Sequence, residues 1–153
     1  MAGWTCDILA TDLNDDSLAA AKAGIYGEYA LRSTTGLLRQ KYFKPHDEKR
    51  LQVNDQLKSI VRFDRVNLND DSRVTFLKGL DLIFCCNVLI YFDLNSKRKV
   101  VQHFYNNLLP GGYLFLGQAE SLYQVDDRFR LVHFPGVIGY WKPPLGYRGG
   151  GKS

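Results

Sequence analysis

Side chains that could take part in chemistry lie at or just after the ends of three predicted strands. These residues are Asp12 after residues 6–11, Asn67 and Leu68 at the end of residues 59–68, and Cys85, Cys86 and Asn87 at the end of residues 80–87, with Tyr91 following. Parallel sheets bind ligands in the crevice outside the carboxyl ends of their strands. A carboxylate there can accept hydrogen bonds from ligand hydroxyls, and an amide can bond the edge of a planar ring. The pattern therefore predicts a ligand site at one edge of a sheet.

Each of these residues also has an ordinary structural explanation, which the spacing alone leaves open. Asp12 could be an acid favoured by the dipole at a helix N-terminus, and Asn67 could be a turn residue at the start of a polar loop. Cys85 and Cys86 could be small core residues, which is their commonest use. Tyr91 could be a core aromatic, because the residues around it are apolar.

The elements that position these residues alternate along the chain. Buried apolar runs predict strands, and amphipathic spacing predicts helices. After the first strand we predict a helix at residues 17–23 capped by Asn14 or Asp15, a weaker helical pattern at residues 26–38, a β-hairpin of residues 40–43 with 50–53, a helix capped by Ser96 and ended by Pro110-Gly111-Gly112, a strand at residues 113–117, and a closing hairpin of residues 129–134 with 137–141. This order indicates an α/β fold with a parallel sheet and an antiparallel edge.

The length of 153 residues suits one domain with its own core. Hydrophobic residues make up 45% of the chain, which is ample for a packed core without disulfides. The last residues, 143–153, are rich in proline and glycine, a composition typical of a disordered end. We therefore expect one domain over residues 1–142 and a disordered tail over residues 143–153.

Cysteine usage, hydropathy and charge exclude several classes of protein. The three cysteines have neither a CxxC nor a metal-ligand spacing, which predicts reduced thiols, no metal site and a cytoplasmic location. No apolar run approaches the roughly 20 residues of a membrane-spanning helix, so we expect no membrane insertion. His46 and His103 lack partners at ligand spacing and are predicted on the surface. The net charge of +4 fits a solvated surface or an acidic partner, and charge alone does not separate the two.

Six short motifs, taken in order, resemble one protein family. They are ILATDL at residues 8–13, AKAGIY at 21–26, KYF at 41–43, VNL at 66–68, DLIFCCNVLIYF at 81–92 and LPGGYLFLGQAES at 109–121. Each motif is weak alone, but NVLIYF followed by LFLGQAES behind an ATDL strand is highly specific in this order and spacing. Across nearly all of residues 8–141, the chain is similar to CheR-type chemotaxis protein-glutamate O-methyltransferases.

The resemblance implies a fold, a cofactor, a reaction and a partner. The fold would be a Rossmann-like methyltransferase sheet with an antiparallel C-terminal hairpin and a small β-hairpin subdomain inserted at residues 40–63. The cofactor would be S-adenosylmethionine (SAM). Its methyl group would pass to glutamate side chains on the cytoplasmic helices of chemoreceptors, leaving S-adenosylhomocysteine. A glutamate is already ionised at neutral pH, so it needs orientation and desolvation rather than a general base.

The resemblance also implies roles for the strand-end residues. Those expected at the cofactor are Asp12 on the ribose hydroxyls, Asn67 and Leu68 on adenine, and Cys85 and Cys86 at the end of the central strand; those expected beside the methyl group are Asn87 and Tyr91. The NVLIY run lacks both prolines of the Asn-Pro-Pro-Tyr motif of amino-group methyltransferases. We therefore expect no nucleic-acid substrate.

Two features depart from the family pattern. Members begin the fold with a strand and a glycine-bearing loop upstream of the ATD motif, whereas this sequence begins almost at that motif. We therefore expect a partial methyltransferase domain with weak SAM binding. The strands that flank the missing one would either pair directly with each other or leave an exposed sheet edge that a homodimer covers. Cys86 stands where the family normally has arginine. The alternative is thus a degenerate or truncated SAM-binding or protein-interaction module without activity of its own.

Overall fold

The structure is a computed structural model that describes residues 3, 5–75 and 77–147. It divides into two compact units, residues 1–67 (unit 1) and residues 68–153 (unit 2). The strands are β1 Ile8–Asp12, β2 Ile25–Gly27, β3 Phe43–Pro45, β4 Arg50–Val53, β5 Val61–Arg65, β6 Leu80–Cys85, β7 Leu108–Leu116, β8 Arg130–Phe134 and β9 Val137–Trp141. The helices are α1 Asp15–Ala23, α2 Gly36–Tyr42, α3 Asp55–Lys58, α4 Asp71–Val74 and α5 Leu94–Asn107, with a short 3-10 helix at Leu89–Tyr91.

Unit 1 contains a parallel pair of strands, β1 and β5, in which Ile8 pairs with Val61 at one end of the register. The crossover from β1 begins with α1. The side chain of Asn14 accepts the main-chain N–H of Ser17 and caps α1, and Gly24 ends the helix in the left-handed conformation with a φ of 65°. These signals are local, and the predicted helix is confirmed.

A three-stranded antiparallel sheet, β2-β4-β3, lies between α1 and β5 in the chain. The predicted hairpin is present, but β3 begins only at Phe43, because α2 extends to Tyr42. The helical pattern predicted at residues 26–38 is mostly wrong. Glycine at position 27 and the following turns interrupt it, and the guanidinium of Arg39 fixes those turns by donating to the carbonyl of Leu31 at 2.6 Å.

Unit 2 is built on a four-stranded sheet in the order β6-β7-β9-β8. β6 and β7 are parallel, whereas β9 is antiparallel to both of its neighbours. The predicted closing hairpin is confirmed, and its turn contains Gly136 at a φ of 79°. The predicted parallel strands therefore occur in two sheets, β1-β5 and β6-β7-β9-β8, rather than in one. The strand before Cys86, which the resemblance makes the central one, is β6 and lies at the edge of its sheet.

One face of this four-stranded sheet packs against α5. The side chains of Val100, Val101 and Leu114 are 0% exposed at this contact. The core also contains Cys85, Leu89, Phe104, Leu108, Leu116, Leu122, Phe129 and Tyr140. The N-cap of α5 is Asp93, which accepts the N–H of Ser96 at 2.9 Å, so the helix begins before the cap that the sequence predicted.

The strand β7 begins five residues before the predicted strand, since α5 ends at Asn107 and Leu108 already pairs with Leu80. The register then shifts before Leu82 pairs with Tyr113. The Pro-Gly-Gly run is therefore an irregular part of the strand rather than the end of the helix.

Successive residues of a strand point to opposite faces of a sheet. The residues on the face of the unit 2 sheet opposite α5 include several aromatic side chains. Phe84 on the edge strand β6 stacks on Phe115 of β7 with the ring centroids 5.1 Å apart. Phe134 of β8 extends this cluster. The side chain of Phe84 remains 70% exposed.

Candidate functional site

The carboxyl ends of β1 and β5 form one edge of unit 1. Asp12 is the last residue of β1 and is exposed, and its main-chain carbonyl accepts the N–H of Val66 at 3.2 Å. Asn67 follows directly and is also exposed. The polar side chains of Asp12 and Asn67 therefore belong to the same edge of the β1-β5 sheet.

The turn after Asp12 is held by short-range bonds and by β5. One carboxylate oxygen of Asp12 accepts the N–H of Asn14 at 2.9 Å. The Nε of Arg65 donates to the carbonyl of Leu13 at 3.0 Å. A carboxylate has about four acceptor sites, so the bond to Asn14 leaves Asp12 able to accept from ligand hydroxyls.

The loop at the start of unit 2 is tied to α5 through Asp71. The Nζ of Lys99 lies 3.0 Å from Oδ1 of Asp71, and Nε2 of His103 lies 2.9 Å from the same oxygen. Both partners hold the pKa of the Asp71 carboxyl below its usual range, and Lys99 has the larger effect.

The prediction that His103 is a surface residue is wrong. Its side chain is buried on the core face of α5, where Nε2 is hydrogen-bonded to the carboxylate of Asp71. Leu68, at the head of this loop, packs against the unit 2 core.

The strand β6 ends in two cysteines with different environments. The side chain of Cys85 lies in the core, and burial raises the pKa of its thiol to about 12, with the charge of Glu120 adding to the effect. Cys86 is exposed, but partial burial of its sulfur also raises the pKa of its thiol, and the charge of Glu120 adds to this effect. Both side chains are therefore thiols at neutral pH, and neither has the thiolate character of a nucleophile.

Residues 87–91, the strand-end segment, connect β6 to α5. Asn87 adopts a φ of 60°, a left-handed conformation that is uncommon outside glycine but least costly for asparagine. Leu89 points into the core and is 2% exposed, whereas Tyr91 is 83% exposed. Tyr91 is therefore not a core aromatic, and the segment presents it to solvent while Leu89 holds the chain to the core.

A single carboxylate, that of Glu120, accepts four main-chain N–H groups at this point. Its Oε2 accepts from Asn87 at 2.7 Å and from Gly117 at 2.8 Å. Its Oε1 accepts from Val88 at 3.0 Å and from Ile90 at 3.3 Å. The carboxyl ends of β6 and β7 are therefore joined through one side chain.

The electrostatics of Glu120 agree with this geometry. Partial burial raises the pKa of its carboxyl. The hydrogen bonds from main-chain N–H groups, of which those of Gly117 and Asn87 have the largest effects, lower the pKa by more, so that it lies below its ordinary value. A carboxylate that accepts several main-chain N–H bonds is favoured in its charged form. Glu120 is thus ionised at neutral pH.

Close packing at Gly117 allows this arrangement. A Cβ at that position would lie 2.7 Å from Oδ1 of Asn87, 2.7 Å from Oε2 of Glu120 and 2.9 Å from the main-chain nitrogen of Asn87. Any side chain there would push the strand-end segment away from β7. The GQAES motif therefore contains both the residue that binds the segment and the glycine that lets it approach.

The predicted site residues fall into two groups, one in each unit. Asp12 and Asn67 lie at the strand-end edge of unit 1; in unit 2 lie Leu68 at the head of its loop and Cys85, Cys86, Asn87 and Tyr91 at or after the end of β6. Sequence reasoning missed Glu120 as a functional residue. The signal available was its place in a specific motif immediately after a strand end, but its partners Asn87 to Ile90 lie about thirty residues away along the chain.

The groups that each unit presents suit parts of SAM. In unit 1, the carboxylate of Asp12 and the amide of Asn67 suit the ribose hydroxyls and the adenine edge. In unit 2, the side chain of Leu68 suits the face of a planar ring, and the strand-end segment presents the exposed groups of Asn87 and Tyr91. The residues of unit 1 therefore fit a nucleoside.

The α/β fold with its mixed sheets fits the Rossmann-like methyltransferase class. Residues 1–138 match the family model described as CheR methyltransferase, SAM binding domain. The chain belongs to this family, as the sequence motifs predict.

Two curated relatives are chemotaxis methyltransferases of bacteria. The chain is 37% identical over 140 residues to chemotaxis protein methyltransferase 2 of Vibrio cholerae, covering 92% of this chain and 49% of the relative. It is 40% identical over 133 residues to chemotaxis protein methyltransferase 1 of Pseudomonas aeruginosa, covering 86% of this chain and 48% of the relative. The chain thus spans about half the length of these relatives.

A solved structure shares the fold at low sequence identity. A possible exported protein from Bordetella parapertussis superposes with a TM-score of 0.53 at 12% identity, covering 90% of this chain and 54% of that protein.

Within residues 5–75 and 77–147, no helix is both long and apolar enough to cross a bilayer.

Proposed function

We propose that this domain binds SAM at the carboxyl ends of its strands and transfers the methyl group to glutamate side chains of chemoreceptors. The observation that carries the proposal is the strand-end segment, which holds Asn87 in a left-handed conformation and exposes Tyr91 shortly after β6 in a CheR-family domain. The names of the Vibrio cholerae and Pseudomonas aeruginosa relatives support the same reaction class.

Within this proposal the residues at and after the carboxyl ends of β1 and β5 bind the nucleoside. The carboxylate of Asp12 accepts from the ribose hydroxyls, and the amide of Asn67 bonds the adenine edge. Leu68 packs on the ring face. Because the side chain of Cys85 lies in the core, its contact with the cofactor uses the main chain, whereas Cys86 is exposed and its thiol can border the cofactor directly.

The strand-end segment positions the acceptor. SAM, when bound, supplies a methyl group on a positively charged sulfur. The substrate glutamate is ionised at neutral pH, so the protein needs no general base. Asn87 and Tyr91 orient the carboxylate oxygen in line with the carbon–sulfur bond and exclude water from it. The products of this transfer would be a methyl ester on the glutamate and S-adenosylhomocysteine, whose sulfur would keep the electron pair of the broken carbon–sulfur bond.

A second candidate function is favoured by Cys86. The resemblance places an arginine at this position, and a thiol with a raised pKa is neutral, so it cannot replace the positive charge. In that case the domain binds SAM or a signalling protein without transferring a methyl group.

The aromatic face of unit 2 supports a further proposal about assembly. Phe84 lies on the edge strand β6 and is 70% exposed, and exposed apolar edges recruit other chains. We propose that a second copy of the chain covers this edge. Light scattering tests it: wild type should scatter as a dimer and Phe84→Lys as a monomer, whereas a monomeric wild type would contradict it.

A methyl-transfer assay separates the two functions. The protein is incubated with SAM carrying a labelled methyl group and a receptor cytoplasmic fragment that has glutamate at the acceptor position. We expect base-labile label, a property of methyl esters, on this fragment and none on a matched fragment with glutamine there. SAM binding without label on either fragment would support the module without activity.

The variant Cys86→Arg sharpens that result. If the thiol limits transfer, the arginine variant should label the glutamate fragment at least about tenfold faster than wild type, the scale of one charge-assisted hydrogen bond. Unchanged label in this variant would show that Cys86 does not limit the reaction.

A further inference from the structure

Glu120 is the residue of unit 2 that binds the strand-end segment most extensively, yet it contributes no group to the proposed chemistry. The four hydrogen bonds that its carboxylate accepts come from main-chain N–H groups, and three of the donors, Asn87, Val88 and Ile90, belong to the segment. The fourth donor is Gly117, the residue after β7. The carboxylate therefore fixes where the segment lies relative to the sheet.

The arrangement requires both oxygens of a carboxylate. Each oxygen of Glu120 accepts two N–H groups, one pair on Oε2 and the other on Oε1. A glutamine has one acceptor oxygen, and its amide nitrogen only donates. In either rotamer, Glu120→Gln therefore places an N–H group against two main-chain donors. The change alters hydrogen bonding at nearly constant volume.

The loop that carries Glu120 is itself fixed by the core. The hydroxyl oxygen of Tyr140 on β9 accepts the N–H of Leu122 at 3.3 Å, and the side chain of Leu122 is 2% exposed. Glu120 donates its own N–H to the carbonyl of Gly117 at 2.9 Å. The carboxylate is thus held on a rigid support.

We infer that Glu120 is a positioning residue for methyl transfer: it holds the main chain of residues 87–90 so that Asn87 and Tyr91 meet the reacting carbon. The inference rests on the proposed function and adds a residue to it. Leu89 anchors the same segment in the core, but one buried side chain leaves the peptide planes on both sides of it able to rotate. The three bonds from the segment to Glu120 fix those planes, and with them the φ of 60° at Asn87.

The expected effect is on the rate of transfer rather than on SAM binding. A displacement of about 1 Å at a reacting group can cost about a hundredfold in rate. Glu120→Gln should therefore lower kcat by about ten- to a hundredfold, while the KM for SAM changes by less than about twofold, because the nucleoside residues lie elsewhere in the chain.

The matched control is Asp126→Asn. Asp126 is also a unit 2 carboxylate with a structural role, since it is ion-paired with Arg128, and its side chain is 6% exposed. Its carboxylate accepts the main-chain N–H and the guanidinium N–H groups of Arg128, which lies outside the strand-end segment. Asp126→Asn should lower the melting temperature and leave kcat unchanged at a temperature where circular dichroism shows every variant folded. Glu120→Asp, which keeps two acceptor oxygens on a shorter side chain, should retain more activity than Glu120→Gln.

Transfer to the glutamate fragment is measured for all four proteins. A fall in kcat confined to the Glu120 variants supports the inference. Wild-type kcat in both of those variants, an effect on the KM for SAM alone, or an equal fall in Asp126→Asn would each overturn it. A wild type that transfers no label shows instead that the proposed function has failed, and the inference falls with it.

Discussion

The strand ends of the two units are built differently. In unit 2, residues 87–90 are bound by one carboxylate from the loop after β7, and Leu89 adds a buried anchor. In unit 1, the carboxylate of Asp12 accepts one hydrogen bond, from the N–H of Asn14 in its own turn, and remains exposed. At the unit 2 end one distant carboxylate accepts four main-chain N–H groups, whereas at the unit 1 end a single bond from Arg65 to the carbonyl of Leu13 supports a turn that leaves the Asp12 carboxylate exposed.

The difference matches what each end is proposed to do. Binding a nucleoside needs side-chain groups that exchange water for ligand, and a short local bond is enough to orient them. Methyl transfer needs a fixed geometry at the reacting atoms, which is achieved by support from neighbouring residues. The comparison therefore predicts that changes at the unit 2 end alter stability and rate, and that changes at the unit 1 end alter affinity.

The largest effect is expected for Gly117→Ala. Its methyl group would lie 2.7 Å from Glu120 and from Asn87, so the strand-end segment must move. We expect a loss of about 1–3 kcal/mol in the free energy of unfolding and a loss of methyl transfer. Chemical denaturation measures the first, and the labelled-methyl assay measures the second. Gly36→Ala is the control, because nothing lies within 4 Å of its added methyl group. Equal stability of the two variants would contradict the close packing at Gly117.

At the unit 1 end, Asp12→Asn should weaken SAM binding by at least about tenfold, because a hydrogen bond to a charged group contributes about 1.5–3 kcal/mol. Calorimetric titration measures the change. Asp16→Asn is the matched control, since Asp16 is an exposed acid in the first turn of α1 and has the same relation to the helix dipole. If both variants bind SAM equally, Asp12 serves only the helix and its proposed role is wrong.

A smaller effect is expected in the pH dependence of stability. The pKa of Glu120 is lower in the folded protein than in the unfolded chain, whose value is about 4.3. Its contribution is therefore complete above the unfolded pKa and is lost as the pH falls through the folded pKa. Urea unfolding of wild type and Glu120→Gln should show a stability difference that shrinks as the pH falls below about 4. A constant difference across this range would show that the charge of Glu120 is not what matters.

Elements with local signals could be predicted from the sequence. Asn14 and Gly24 mark both ends of α1 through short-range hydrogen bonds, and Pro135-Gly136 marks the closing turn. The start of β7 could not be predicted, because Pro110 and its two glycines are typical of a helix end. Only the pairing of Leu108 with Leu80 shows that the strand has already begun.

The candidate site divides in the same way. Asp12 and Asn67 are identified by their places after strands, and the motif supplies Asn87 and Tyr91. The role of Glu120 depends on contacts about thirty residues apart, which no local pattern contains. The burial of His103 likewise depends on Asp71 from a separate helix. The roles assigned to the site residues remain predictions, which the variants above test.

Amide hydrogen exchange with and without SAM tests the account most directly. In the free protein, the amides of Asn87, Val88 and Gly117 should exchange slowly, because Glu120 accepts each of them. SAM should then slow exchange mainly around Asp12 and Asn67. The account is contradicted if residues 87–90 exchange rapidly until SAM is added, or if saturating SAM protects neither strand end.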